Sequence, residues 1–207
     1  MKTIDTLLFD LDGTLYPVEN GYQDHCHNRI FNFMQERLGV ESLEKAKSLW
    51  WDMFQKYNQT VRGLRAGGYS IDEDDFWSYI REGPERFLSP NTDVRQLLDS
   101  LPQRKFIFTN CAEEQALKAL EAMGIADCFE KPILGAKFMD QVCKPEPEAF
   151  AKVIEQTKLD PHRTAFFEDS LKNLKTAKGL GMTTVLISGR TLMEEGGRQE
   201  DVDSAVD

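Results

Sequence analysis

The stretch Leu7-Leu8-Phe9-Asp10-Leu11-Asp12-Gly13-Thr14-Leu15 is a short apolar strand that carries two carboxylates to its C-terminal end. Successive strand side chains point to opposite faces, so Asp10 and Asp12 share a face while Leu11 turns away. Gly13 lets the backbone turn sharply straight after them. Two acids on one face repel each other unless a cation or a shared proton intervenes. The pair therefore invites a divalent metal and phosphate chemistry. A plain strand-to-turn exit with solvated aspartates is the alternative, and this segment alone does not choose between them.

Working outward, five apolar runs read as buried strands: Thr6–Phe9, Lys105–Thr109, Pro132–Leu134, Thr164–Phe167 and Thr183–Ile187. Helical periodicity falls between the later ones, over Asn91–Ser100, Glu113–Met123, Glu146–Gln156 and Ser170–Lys178. This alternation predicts an α/β fold, a doubly wound parallel sheet whose ligands bind outside the carboxyl ends of the strands. The stretch 16–88 breaks the pattern and reads as an all-helical cap inserted after the first strand, with helices at Gln23–Arg37, Ser42–Tyr57 and Asp72–Ile80. The sheet domain is expected to comprise 1–15 and 89–207. Between the second and third cap helices, Asn58–Tyr69 reads as a loop, with paired arginines and several glycines. The tail from Arg190 is acidic and glycine-containing, with Ser204–Val206 as a possible edge strand.

Composition narrows the partners. The 207 residues carry 25 Lys and Arg against 35 Asp and Glu, a formal net charge of -10. Such a surface repels nucleic-acid polymers and anionic membranes, so a phosphorylated small molecule needs a locally positive site. Cys26, Cys111, Cys128 and Cys143 form no CxxC pair, which argues for free thiols and a cytoplasmic location. The N-terminus lacks a signal peptide's apolar stretch, and no window approaches a membrane span. His25-Cys26-His27 is not read as a metal site, because adjacent helix residues point in different directions.

Three further elements follow Asp10 and Asp12 in order. Thr109-Asn110 ends the second sheet strand, where a hydroxyl, an amide and free backbone N–H groups suit a phosphate; a helix cap is the plain alternative. Lys144 sits in Cys143-Lys144-Pro145-Glu146-Pro147, where the prolines stiffen the start of a helix and direct the lysine before it; otherwise it is a surface lysine. Glu168-Asp169 leave a buried strand, a costly place for two acids unless they are neutralised or serve as a helix N-cap.

The set DxDGTL, strand–TN, K-P and strand–EDS, in this order, resembles the haloacid dehalogenase superfamily. DGTLYP, GLRAGGY, KFIFTN, GIADCFE, VCKPEPEAF, FFEDSLKN and GMTTVLI resemble more narrowly its plant and fungal pyrimidine 5′-nucleotidases. The chain departs from that branch at Asn58 and at Glu82-Gly83, where the branch has a glycine and a His-Gly. The resemblance implies Asp10 as nucleophile, forming an aspartyl-phosphate, and Asp12 as general acid and then base. It implies Mg²⁺ held by Asp10, the Asp12 carbonyl and Asp169, with Glu168 nearby, and phosphate bound by Thr109, Asn110 and Lys144. Tyr16, Arg62, Arg65 and Tyr69 are the cap candidates for choosing the leaving group, since an aromatic ring and an arginine suit a flat ring. The expected activity is hydrolysis of a small soluble phosphate monoester. Alternatives are a β-phosphoglucomutase-like phosphotransferase, a phosphatase for sugar phosphates, phosphoglycolate or pyridoxal phosphate, and a non-catalytic binding module.

Overall fold

The computed structural model describes residues 3–187 and 202–206. Strands β1 (Thr6–Phe9), β2 (Arg104–Ile107), β3 (Thr164–Glu168), β4 (Thr183–Ile187) and β5 (Ser204–Val206) form one parallel sheet in the order β2-β1-β3-β4-β5. β1 is buried along its whole length and has a neighbour on each side, Leu8 lying opposite both Phe106 and Phe166. Alternation along the strands divides the core. Leu8, Phe106, Phe166 and Leu186 pack on one side with Phe150 and Val153 of α8 (Pro147–Thr157) and Leu174 of α9 (Leu171–Gly179). Leu7, Phe9, Ile107 and Ala165 pack on the other with Leu98 of α5 (Thr92–Ser100) and Ala116, Ala119 and Leu120 of α6 (Glu113–Ala122). Helices on both faces explain why these strands read as continuous apolar runs.

Between β1 and α5 lie α1 (Tyr22–Glu36), α2 (Leu43–Tyr57), α3 (Thr60–Ala66) and α4 (Glu73–Ile80). Ser42 caps α2 by accepting from Lys45 N, and Asp72 caps α4 by accepting from Asp74 and Asp75 N. α1 packs against α2 and α4, and α2 against α3. Their apolar residues Tyr22, Phe33, Leu64 and Phe76 belong to the same cluster as Phe9 and Ile107, so the insert is seated on the sheet domain by continuous apolar packing.

Two expectations change. The segment Asn58–Tyr69 contains a helix, α3, because Val61 and Leu64 point inward and Gly63 lets α3 approach α2 closely. A Cβ on Gly63 lies 2.7 Å from Met53 Cβ. Pro132–Leu134 is not a strand: Leu134 makes one bridge, to Phe108, and Pro132 has no N–H with which to extend a ladder. The sheet's fifth strand is instead Ser204–Val206, pairing with β4; the tail between Arg190 and residue 201 lies outside the described residues. Among the described residues no helix is long and apolar enough to cross a membrane.

Candidate active site

β1, β3 and the loops after β2 bring the site residues together at one end of the sheet. Asp10 follows β1, its N–H donating to Phe167 O at 2.9 Å, and Glu168 and Asp169 leave β3 beside it. Lys144 lies before α8 and is 2 % exposed. Its Nζ donates to Asp10 Oδ1 at 2.6 Å and to Glu168 Oε2 at 2.7 Å, and sits 5.2 and 5.5 Å from the ring centres of Phe108 and Phe166. The lysine stem is thus wrapped in aromatic surface while its ammonium faces two acids. Asn110 fixes the Lys144 backbone from both directions: Lys144 N donates to Asn110 Oδ1 at 2.9 Å and Asn110 Nδ2 to Lys144 O at 3.1 Å. Its side chain is spent on positioning that loop. Thr109 Oγ1 accepts from Cys111 N, which leaves the hydroxyl proton to donate elsewhere.

Asp10, Glu168 and Asp169 are all buried, and each offers a carboxylate oxygen within 4.8 Å of the other two. Burial and the Glu168 charge push the Asp10 carboxyl up from 3.8 to about 7, against the pull of Lys144. Burial, with Asp169 beside it, likewise pushes Glu168 up from 4.5 to about 7. Burial disfavours charge on Lys144, yet Asp10 and Glu168 together raise its pKa above the usual lysine range. One ammonium among three acids leaves negative charge in surplus, and the donors are all oxygen, so the residues fit a hard divalent cation. Gly13 makes room for this cluster. Its φ is +79°, and a Cβ there lies 2.3 Å from Asp169 Oδ2.

Asp12, two residues on, has a separate partner that the sequence reading missed. Arg81, just past α4 and 7 % exposed, donates from Nη2 to Asp12 Oδ1 at 2.7 Å and from Nη1 to Oδ2 at 3.0 Å. The Tyr16 hydroxyl also donates to Asp12 Oδ1. Burial alone raises the Asp12 carboxyl, but Arg81 and Tyr16 outweigh it and hold it below the usual carboxylate range. A signal for Arg81 existed. It stands four residues after Trp77, in phase with the buried stripe Phe76, Trp77 and Ile80, and a buried guanidinium needs an acidic partner.

Above these residues lies a cavity of about 680 Å³, a size ordinary for a small-molecule site. Its far wall carries His27 from α1 and Trp50, Trp51 and Phe54 from α2, with the Trp50 and Phe54 rings stacked at 5.1 Å. Gln23 and Gln55 lie on the same wall, and Lys172 and Lys175 of α9 stand on the sheet-domain side. None of the four cap candidates lines this cavity. Arg62 donates from Nη1 to Tyr57 O at 3.3 Å and pairs through Nη2 with Glu146 at 2.9 Å, tying the insert to the start of α8. Arg65 pairs with Glu73 at the surface, and Tyr69 packs on the core cluster. Arg65 lies in α3, whose helical turn directs it to Glu73 and not to the cavity, and Tyr69 follows that helix. Tyr16 is in the site, but bonded to Asp12. His27 of the His25-Cys26-His27 run packs 5.0 Å from Trp50 while Cys26 is buried and His25 meets Glu82 O.

Paired acids at a strand end, a lysine from a later loop and a second acidic pair thus meet at one end of a parallel α/β sheet in which helices are inserted after β1. The sequence pattern of the haloacid dehalogenase-like hydrolases matches residues 4–181, and the chain belongs to that family. It is similar to Phosphate metabolism protein 8 of Saccharomyces cerevisiae, 27% identical over 196 residues, 86% of this chain and 60% of the yeast protein. It is also similar to the phosphorylated carbohydrates phosphatase of Thermotoga maritima, 23% identical over 219 residues, 93% of this chain and 92% of that one. The chain thus spans 60% of the length of its yeast relative. Among solved structures, a HAD phosphatase from Thermococcus onnurineus superposes with a TM-score of 0.65 at 20% identity, over 100% of this chain and 93% of that one. The L-2-haloacid dehalogenase of Xanthobacter autotrophicus gives 0.58 at 20% identity, over 93% and 82%. At such identities these likenesses show a shared fold.

Proposed function

We propose that the protein is a divalent-cation-dependent phosphomonoesterase that works through an aspartyl-phosphate on Asp10. The observation that carries this reading is the buried cluster of Asp10, Glu168 and Asp169, with Lys144 bridging the first two, under the cavity. Asp10 attacks phosphorus, forming the Asp10 O–P bond as the bond to the leaving oxygen breaks. Asp12 supplies the proton that the leaving alkoxide takes up, and later removes one from the water that hydrolyses the aspartyl-phosphate. Lys144, which bonds Asp10, would hold the phosphoryl oxygens together with the Thr109 hydroxyl, with the Asn110 N–H as a further donor. Asp10, Asp169 and the Asp12 main-chain carbonyl would hold Mg²⁺, with Glu168 beside them. Bound there, the cation offsets the repulsion between a carboxylate nucleophile and an anionic phosphate. An acid at Asp12 has no task in hydrolytic dehalogenation, which favours phosphate chemistry over that branch of the family.

For the leaving group, the aromatic wall of Trp50, Trp51 and Phe54 supports a flat ring, and a pyrimidine nucleoside 5′-monophosphate is the reading that joins this wall to the motifs DGTLYP and GLRAGGY. The name of the Thermotoga relative supports the broader class of small phosphorylated metabolites. The test is phosphate release from uridine and cytidine 5′-monophosphates, ribose 5-phosphate, phosphoglycolate, pyridoxal phosphate and p-nitrophenyl phosphate, with and without EDTA. Turnover is expected to stop with EDTA and to be abolished in Asp10→Asn. EDTA-insensitive turnover removes the metal assignment, and near wild-type rates in Asp10→Asn remove the nucleophile. A requirement for a sugar bisphosphate would replace hydrolysis by phosphotransfer.

A further inference from the structure

Asp12 and its partners specify more than the presence of an acid. A carboxylate has about four lone-pair sites. On Oδ1 both are filled, by Arg81 Nη2 at 2.7 Å and by the Tyr16 hydroxyl; on Oδ2 one is filled, by Arg81 Nη1 at 3.0 Å. We propose that Arg81 is a positioning residue for the proton-transfer step, its planar fork orienting Asp12 so that the single open site on Oδ2 is the one that exchanges a proton with the leaving group. This rests on the role given to Asp12 above.

The fork is itself held in place. Arg81 Cζ lies 5.0 Å from the centre of the Tyr22 ring, the Tyr22 hydroxyl donates to Arg81 O at 3.0 Å, and Arg81 Nη2 also donates to the Tyr16 hydroxyl at 3.3 Å. Tyr22 is fully buried, so the guanidinium has a packed floor beneath it. A rigid bidentate donor fixes the plane of a carboxylate in a way that a lysine ammonium, a point charge, does not. The chemistry balances. The bond between phosphorus and the leaving oxygen breaks with its electron pair on oxygen. The proton on Oδ2 passes to that oxygen to give the alcohol, leaving Asp12 in the fork as the carboxylate seen here; the water that then hydrolyses the aspartyl-phosphate gives a proton back to the same site, so the acid is regenerated for the next cycle. Because Asp12 lies in the turn after β1 and Arg81 lies at the end of α4, neither the sheet domain nor the insert positions this acid alone.

The test uses leaving groups that differ in their need for a proton. 2,4-Dinitrophenolate departs unaided, whereas the alkoxide of uridine 5′-monophosphate, or of whichever alkyl phosphate the wild type turns over fastest, does not. General acid catalysis contributes on the order of 10²- to 10⁴-fold. Arg81→Ala is therefore expected to lower the single-turnover rate of leaving-group release, which precedes hydrolysis of the aspartyl-phosphate, at least about ten-fold more for the alkyl ester than for the dinitrophenyl ester, with KM nearly constant. Arg81→Lys shows the same selectivity in smaller degree, and serves as the deciding variant if the alanine form does not fold. Equal losses on both esters, a change in KM alone, or faster turnover overturns the proposal. Asp12→Asn separates the two levels. If it slows single-turnover leaving-group release equally from both esters, the role of Asp12 as acid fails; if it is selective in that step and neither Arg81 variant is, only the positioning role fails.

Discussion

Lys144→Met asks how much of the site's stability rests on one ammonium. Methionine keeps the length of the side chain between Phe108 and Phe166 but removes the charge that bonds Asp10 at 2.6 Å and Glu168 at 2.7 Å. Breaking a buried pair from one side typically costs about 3–5 kcal/mol, because the partner charge is left uncompensated. Here two acids lose their shared partner, and Asp169 stands beside them. For a chain of this size each kcal/mol moves Tm by about 2–4 °C, so the variant is expected to melt roughly 6–20 °C lower at pH 8 in EDTA. The penalty belongs to the ionised acids, so it shrinks when they take up protons. Asp10 and Glu168 already titrate near 7 with Lys144 present, and removing the lysine raises both further. At pH 5.5 the two proteins should therefore differ by less than about half as much. The assay is thermal unfolding by circular dichroism at both pH values. A Lys144→Met protein as stable as wild type at pH 8 in EDTA, or one whose deficit does not change with pH, refutes the view that Lys144 neutralises this cluster.

The wild type carries the same signature alone. Asp10 and Glu168 have folded-state pKa values of about 7, above their ordinary 3.8 and 4.5, so their contribution to stability is complete below those ordinary values and is lost as pH rises through 7. Tm in EDTA is expected to fall between pH 5 and pH 8, and millimolar MgCl₂ to remove most of the fall; a flat profile in EDTA counts against it. Gly13→Ala puts a Cβ at a φ of +79° and against Asp169 Oδ2, so a loss of about 1–3 kcal/mol is expected. Mg²⁺ affinity should weaken with it, measured by calorimetry, and unchanged affinity would show that Asp169 is not a ligand. Trp51 is 55% exposed and lines the cavity. Trp51→Ala should therefore leave Tm within a few degrees while raising KM for ring-bearing substrates against ribose 5-phosphate, and an unchanged ranking removes the aromatic wall from specificity.

What was legible in the sequence follows from how local each signal is. The strands Thr6–Phe9 and Thr183–Ile187 are apolar runs bounded by polar residues, and both are found at those limits. The acids and Lys144 were legible because each lies at a strand end or directly before a helix, where topology alone brings them together. Pro132–Leu134 misled because a short apolar run beside a strand resembles a strand until its missing donor is counted. In 58–69 the glycines suggested a loop, but Gly63 serves contact between two helices, a tertiary reason that local composition does not carry. The arginines of that segment drew attention by their neighbours, whereas Arg81 drew none, since its partner is 69 residues away.

That separation bears on why two aspartates two residues apart can differ so much. Asp10 is balanced by Lys144, which the sheet domain supplies and Asn110 anchors. Asp12 is balanced by Arg81, which the helical insert supplies and Tyr22 supports. The two pairs share no cation. The same surroundings push the Asp10 carboxyl up, with more acid nearby than base, and hold Asp12 down, with a fork and a phenol on one carboxylate. In this chain Lys144 is shared between Asp10 and Glu168, whereas Arg81 gives both of its Nη atoms to Asp12.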